Sequence, residues 1–124
     1  MIIVTLRIKV PRERHRDFMD SARLIVEPTK IQPGCISCRL YKDLDEPDAV
    51  FLVEEWKSRK ELDSHLNSEQ YRIVLSLMEA SDQFPEIKLN TISKTEGLEA
   101  IEAVRSGSIS GNPGSEIRQN RPAR

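Results

Sequence analysis

Residues 2–10 alternate strictly, with Val4, Leu6, Ile8 and Val10 on one side and Ile3, Thr5, Arg7 and Lys9 on the other. That period of two predicts a half-buried strand, which Pro11 ends. From there Phe18, Ala22, Ile25 and Thr29 recur at spacings of four, three and four, with Met19 and Val26 beside them. The spacing predicts an amphipathic helix of about five turns opened by the proline. Pro28 is expected to kink or stop it early, and Pro33-Gly34 is a firm breaker. Residues 35–42 and 49–56 are two further β runs, joined by the polar turn Asp43-Leu44-Asp45-Glu46-Pro47-Asp48. They read as a hairpin. Its second arm is apolar on both faces over Val50-Phe51-Leu52-Val53, as expected of a strand covered on both sides, either central or at an interface.

Ser58-Arg59-Lys60-Glu61 has the capping-box pattern, opening a short helix with Leu62 and Leu66 four apart. Asn67-Ser68 interrupts it. A second helical stretch with Tyr71, Val74, Leu75 and Met78 on one side runs to about Ser81, and a last strand follows Pro85 with Ile87, Leu89 and Thr91 alternating. The order is β-α-β-β-α-β, the ferredoxin-like α+β arrangement. It places both helices on one face of a four-stranded antiparallel sheet. The other face is left bare, and Ile3, Phe51 and Val53 on it predict a homodimer that pairs the two sheet faces with twofold symmetry.

Composition modifies this picture at the C-terminus. The chain has 124 residues, enough for one domain, and only 38% are hydrophobic. Residues 97–105 are expected to form a short helix, and 106–124 hold three of the five glycines and almost no apolar residues, which reads as a disordered polar tail. The fold itself is expected to occupy 1–95. Charge is nearly balanced at 19 basic to 20 acidic residues. Arg118, Arg121 and Arg124 outnumber Glu116, so the tail carries +2 and residues 1–105 carry -3. Nucleic acid is therefore a poor partner, since no cationic surplus exists to neutralise phosphates. No apolar run approaches the ~20 residues of a membrane span, and the start lacks a basic, cleavable leader, so a cytoplasmic location is expected.

Cys35 and Cys38 have C-x-x-C spacing but lack both a strand-to-helix turn and further ligands nearby, and read as structural thiols on opposite faces of a strand. No metal site is expected. Glu54 and Glu55 point to opposite faces and form no carboxylate dyad. His15, among Arg12, Arg14 and Arg16, reads as part of a solvated face.

Pro33-Gly34-Cys35, Arg39-Leu40-Tyr41-Lys42-Asp43, Asp45-Glu46-Pro47 and above all Val53-Glu54-Glu55-Trp56-Lys57-Ser58, continuing through Glu61-Leu62-Asp63-Ser64-His65-Leu66-Asn67-Ser68-Glu69-Gln70-Tyr71, resemble the antibiotic biosynthesis monooxygenase family. These are small dimeric α+β-barrel proteins, and the resemblance runs over about residues 1–95. It implies a monooxygenase that needs no metal or organic cofactor and oxidises a quinol-like or polycyclic phenol. The other function open to the fold is a non-catalytic dimeric module that binds a small apolar ligand or an interaction partner.

Four residues are candidates for the site. Trp56 offers a flat wall to an aromatic substrate or an anchor to the core. His65 is placed to shuttle a proton or to bind last-turn carbonyls. Tyr71 offers a hydroxyl to substrate or packs with its oxygen at the rim, and Thr5 lines a cavity or simply suits a strand. The haem-degrading branch of the family carries a histidine in the second helical stretch and an asparagine on the first strand. Here Arg72-Ile73-Val74-Leu75-Ser76-Leu77 and the first strand have neither, so haem degradation is not expected.

Overall fold

The computed structural model describes residues 1–107. Residues Met1–Ile92 form one compact unit. Its elements are β1 (Ile2–Lys9), a 3-10 turn (Arg12–Arg14), α1 (His15–Lys30), β2 (Cys35–Lys42), β3 (Ala49–Trp56), α2 (Arg59–Leu66), α3 (Tyr71–Glu79) and β4 (Glu86–Thr91). The strands make one antiparallel sheet in the order β2-β3-β1-β4, as the ferredoxin-like fold requires. β3 is central, in keeping with its doubly apolar sequence.

Alternation along β1 puts Ile2, Val4, Leu6 and Ile8 in the core, where Phe18, Ala22 and Ile25 of α1 and Val74 and Leu77 of α3 pack with Leu6 and Ile8, while Trp56 of β3 and Leu62 of α2 pack with Ile2 and Val4. Burying that stripe is the main stabilising term, at roughly 25 cal/mol per Å² of apolar surface. Helix α1 runs through Pro28 without stopping. The proline is in the last turn on the exposed side, so the backbone bond it forfeits lies near the end of the helix. In α3 the inward residues are Tyr71, Val74 and Leu77, while Leu75 is 47% exposed, so the apolar stripe is one step away from the expected one.

The open face carries Ile3, Thr5, Phe51 and Val53, all half-buried, among Arg7, Lys9, Arg39 and Lys88. The Arg7 guanidinium lies 5.8 Å from the centre of the Phe51 ring and also pairs with Glu46 at 2.6 Å. This face is thus more polar than the strand alternation alone suggests.

The chain from Ser93 onward is a separate compact unit, whose described part holds α4 (Leu98–Gly107). The expected helix over 97–105 is present. It includes Ser106 and Gly107, while the rest of the expected tail lies outside the described residues. Among the described residues no helix is long and apolar enough to cross a membrane.

Candidate functional site

Four segments meet at one end of the helix-covered face. The first is the turn Gln32-Pro33-Gly34-Cys35, closed by the Cys35 N–H donating to the Gln32 carbonyl at 3.1 Å. Gly34 has φ +83°, which its lack of a Cβ permits. Proline at the second position and a positive-φ glycine at the third are the requirements of a type II turn. A Cβ on Gly34 would come within 1.5 Å of Glu61 Oε2, so the glycine also lets α2 close against this turn.

The second segment is the end of β3. Leu52, Glu54 and Trp56 share the helix-facing side of the strand, and the last two are 2% and 0% exposed. A carboxylate in that position needs partners. Trp56 Nε1 donates to Glu54 Oε1 at 2.9 Å.

The third is α2, started by Ser58, whose Oγ accepts from the Glu61 N–H at 3.3 Å as the capping-box pattern predicts. Leu62 and His65 are its fully buried residues, and Leu66, expected on the same side as Leu62, is half-buried against the core. His65 Nε2 lies 3.3 Å from Glu54 Oε1 with both side chains almost wholly enclosed, yet outside hydrogen-bonding alignment. The contact is an electrostatic one. Its Nδ1 is 2.8 Å from Gln32 Oε1.

The fourth is the start of α3. Ser68 ties it to α2, donating from Oγ to the His65 carbonyl at 2.7 Å while accepting from the Tyr71 N–H at 3.3 Å. Tyr71 therefore meets His65 edge to face, ring centres 5.3 Å apart, and the imidazole also stacks on Trp56 at 4.7 Å. Gln70 accepts from Gln32 Nε2 at 2.7 Å and donates to the Ile25 carbonyl at 3.3 Å.

Burial, with the Glu54 carboxylate nearby as the lesser cause, pushes the Tyr71 phenol up to about 12. The same causes, in the same order, push Cys38 up to about 12 and raise Cys35 as well. The pairing of β2 with β3 slips between Cys35 and Ser37, so Cys35 lies opposite Trp56 and Cys38 opposite Glu54. Both thiols consequently share the helix-facing side, which corrects the expectation of opposite faces: a bulge adds one residue and reverses the alternation. Both are free, Cys38 fully buried and Cys35 partly so.

Trp56, His65 and Tyr71 thus come together, and Thr5 does not. It sits on the open face, level with Val53 and Lys88. Glu54, Gln32 and Gln70 complete the cluster. Only Glu54 left a sequence signal, its place two residues before Trp56 on an otherwise apolar face. His15 is half-buried, its Nε2 2.7 Å from the Val10 carbonyl, where it fastens the end of β1 to the start of α1 and is not a solvated side chain.

Of the three clustered rings, that of His65 lines a cavity. It forms the inner wall of a cleft of about 200 Å³, with Gln32, Pro33, Glu61 and Ser64 around it. A second cavity, about 290 Å³, lies between α1 and α3 and is lined by Val10, Arg14, Phe18, Ile73, Leu77 and Ala80.

The element order and the sheet order define a ferredoxin-like α+β domain. A family model described as antibiotic biosynthesis monooxygenase matches residues 1–74, and the chain belongs to that family. It is 30% identical over 101 residues to an uncharacterised protein of Synechocystis, a match that covers 78% of this chain and 67% of that one. The crystal structure of a conserved protein from Methanosarcina mazei has a TM-score of 0.68 at 31% identity, covering 72% of this chain and 89% of its own. That of an antibiotic biosynthesis monooxygenase has a TM-score of 0.68 at 25% identity, covering 76% of this chain and 100% of its own.

Proposed function

We propose that the protein is a monooxygenase that oxidises a quinol-like phenol with dioxygen, using neither a metal nor an organic cofactor. The observation that carries this reading is the enclosed Glu54–His65 contact behind the cleft. A carboxylate on one imidazole nitrogen leaves the other to address a substrate oxygen, and here that other nitrogen is held by Gln32, itself a cleft residue.

In this mechanism His65 Nδ1–H donates to the phenolate oxygen, and Glu54 balances the charge on the ring. The phenolate gives one electron to dioxygen, and the radical pair joins at a ring carbon that bears hydrogen. The peroxide takes up a proton. Loss of water, including the hydrogen of that carbon, leaves a carbonyl. One oxygen atom enters the product and the other leaves as water, and the substrate supplies all four electrons. At about 200 Å³ the cleft is smaller than the ~300 Å³ at which drug-sized pockets begin, which favours a small quinol over a polycyclic phenol. The half-buried apolar residues Ile3, Phe51 and Val53 support a homodimer formed through the open sheet face.

Oxygen uptake with a panel of hydroquinones in metal-free buffer tests the reading. Uptake above the uncatalysed rate is expected, falling ~100-fold or more in His65→Ala and less in Trp56→Phe. No uptake across the panel, from folded protein that scatters light as a dimer, retires the assignment for those substrates. A second reading, a non-catalytic module that shelters a small ligand, is favoured by one observation: Trp56 and Tyr71 are buried and pack on His65. Ligand binding without oxygen uptake would select it.

A further inference from the structure

The hydrogen bonds that lead away from His65 run in one direction, and their far end sets it. The Ile25 carbonyl can only accept, so the atom of Gln70 facing it at 3.3 Å is the amide nitrogen. Gln70 Oε1 is then turned toward Gln32, whose nitrogen donates to it at 2.7 Å. Gln32 Oε1 is left facing His65 Nδ1 at 2.8 Å, where it can only accept. A proton is therefore required on Nδ1. Neither amide can flip alone without setting two donors or two acceptors against each other.

The other ring nitrogen is the consequence. With the single proton of a neutral imidazole on Nδ1, Nε2 would present a bare lone pair to Glu54 Oε1 at 3.3 Å, in nearly complete burial. Lone pair and carboxylate repel, and the surroundings screen that repulsion poorly. The remaining titratable groups near the contact do not relieve it. Tyr71 on α3 and Cys35 and Cys38 on β2 stay protonated and neutral at ordinary pH, and Glu61 of α2 is an acid at the cleft. The Trp56 N–H, already on Oε1, offsets part of the charge.

We propose that Gln32 and Gln70 are positioning residues that hold one proton on His65 Nδ1, so that Nε2 and Glu54 keep a second proton between them and the cleft takes its phenol as the anion. The last clause rests on the oxygenase reading; the proton placement does not. In the complex the phenolate oxygen takes the place of Gln32 Oε1 as acceptor from Nδ1–H. No proton has to leave the substrate inside the cleft, and the one held with Glu54 is available to the peroxide.

Long-range proton–nitrogen correlation spectra of the histidine rings in the full chain test the placement, with His15→Gln identifying the signals of the other ring. In the unsubstituted protein near neutral pH, His65 is expected to show a protonated Nδ1. Gln70→Leu, which removes the anchor, and Gln32→Leu, which removes the acceptor, should each lose that signal. Adding Gln32→Glu to Gln70→Leu should restore it, because a carboxylate can only accept. An unprotonated Nδ1 in the parent chain, or spectra unchanged by Gln70→Leu, overturns the proposal. Para-nitrophenol bound without oxygen tests the anion clause, since its anion and neutral form absorb at different wavelengths. The anion is expected at a pH where the free probe is mostly neutral, and a neutral bound probe refutes that clause. Absence of binding removes the phenol reading and the anion clause with it, while the ring spectra judge the proton placement separately.

Discussion

Replacing Glu54 by leucine keeps the volume at that position roughly constant and removes the acceptor on which Trp56 depends. The indole N–H, now 2.9 Å from Oε1 in a residue with no exposed surface, would be left buried and unpaired, at a cost of about 1–3 kcal/mol. Loss of the facing charge at His65 Nε2 adds to this, since breaking one side of an enclosed pair typically costs about 3–5 kcal/mol. We expect a total of at least about 4 kcal/mol, a large share of the ~5–15 kcal/mol by which domains of this size are stable. Glu54→Gln keeps the acceptor and should cost about 1 kcal/mol. Urea denaturation followed by far-ultraviolet circular dichroism measures both, with an unchanged slope as the sign of an intact folded state. Combining Glu54→Leu with Trp56→Phe removes the stranded N–H, and the cycle should show a coupling of about 1–2 kcal/mol. A Glu54→Leu protein within about 1 kcal/mol of the parent, or a coupling near zero, would refute the argument that this carboxylate is held in place by its bonds.

Three other substitutions or titrations follow from the geometry. Gly34→Ala must place a Cβ at φ +83° against Glu61, so a loss of about 2–3 kcal/mol is expected in the same denaturation assay; a loss below about 0.5 kcal/mol would show that the turn relaxes freely. Tyr71 ionises at about 12 when folded against an ordinary 10, so above pH 10 the unfolded chain releases this proton first and stability falls as the pH climbs toward 12. Allowing for partial solvent screening the loss is roughly 1–2 kcal/mol, and Tyr71→Phe should abolish it. Because Cys35 is raised and Cys38 is pushed up to about 12, both should react slowly with thiol reagents in the native protein at neutral pH and quickly in urea; rapid loss of Cys38 from native protein would contradict its burial.

Much of the fold is legible in the chain because its signals are local. Alternation in β1, the stripe from Phe18 to Thr29 and the doubly apolar β3 each follow from one element's own period, and together they fix the sheet order. The bulge between Cys35 and Ser37 is different in kind. It is a matter of pairing between strands, with no residue that announces it, and it reverses the face of everything before it. The site divides the same way. Trp56 and Tyr71 stand out as aromatics and His65 as one of two histidines, whereas Gln32 and Gln70 are ordinary turn and helix-end residues that meet only because the fold brings positions 38 apart together. Thr5 lies beside Ile3 on the open face, the side of β1 that the alternation assigns it.

The stack of Trp56 on His65 has a practical consequence. Trp56 is the only tryptophan in the chain, so its emission comes from a single ring with an imidazole at 4.7 Å. A protonated imidazole in that position quenches indole fluorescence far more than a neutral one. The protein therefore carries its own optical gauge: the brightness of one residue reads out, without any label, the charge on the histidine beside it.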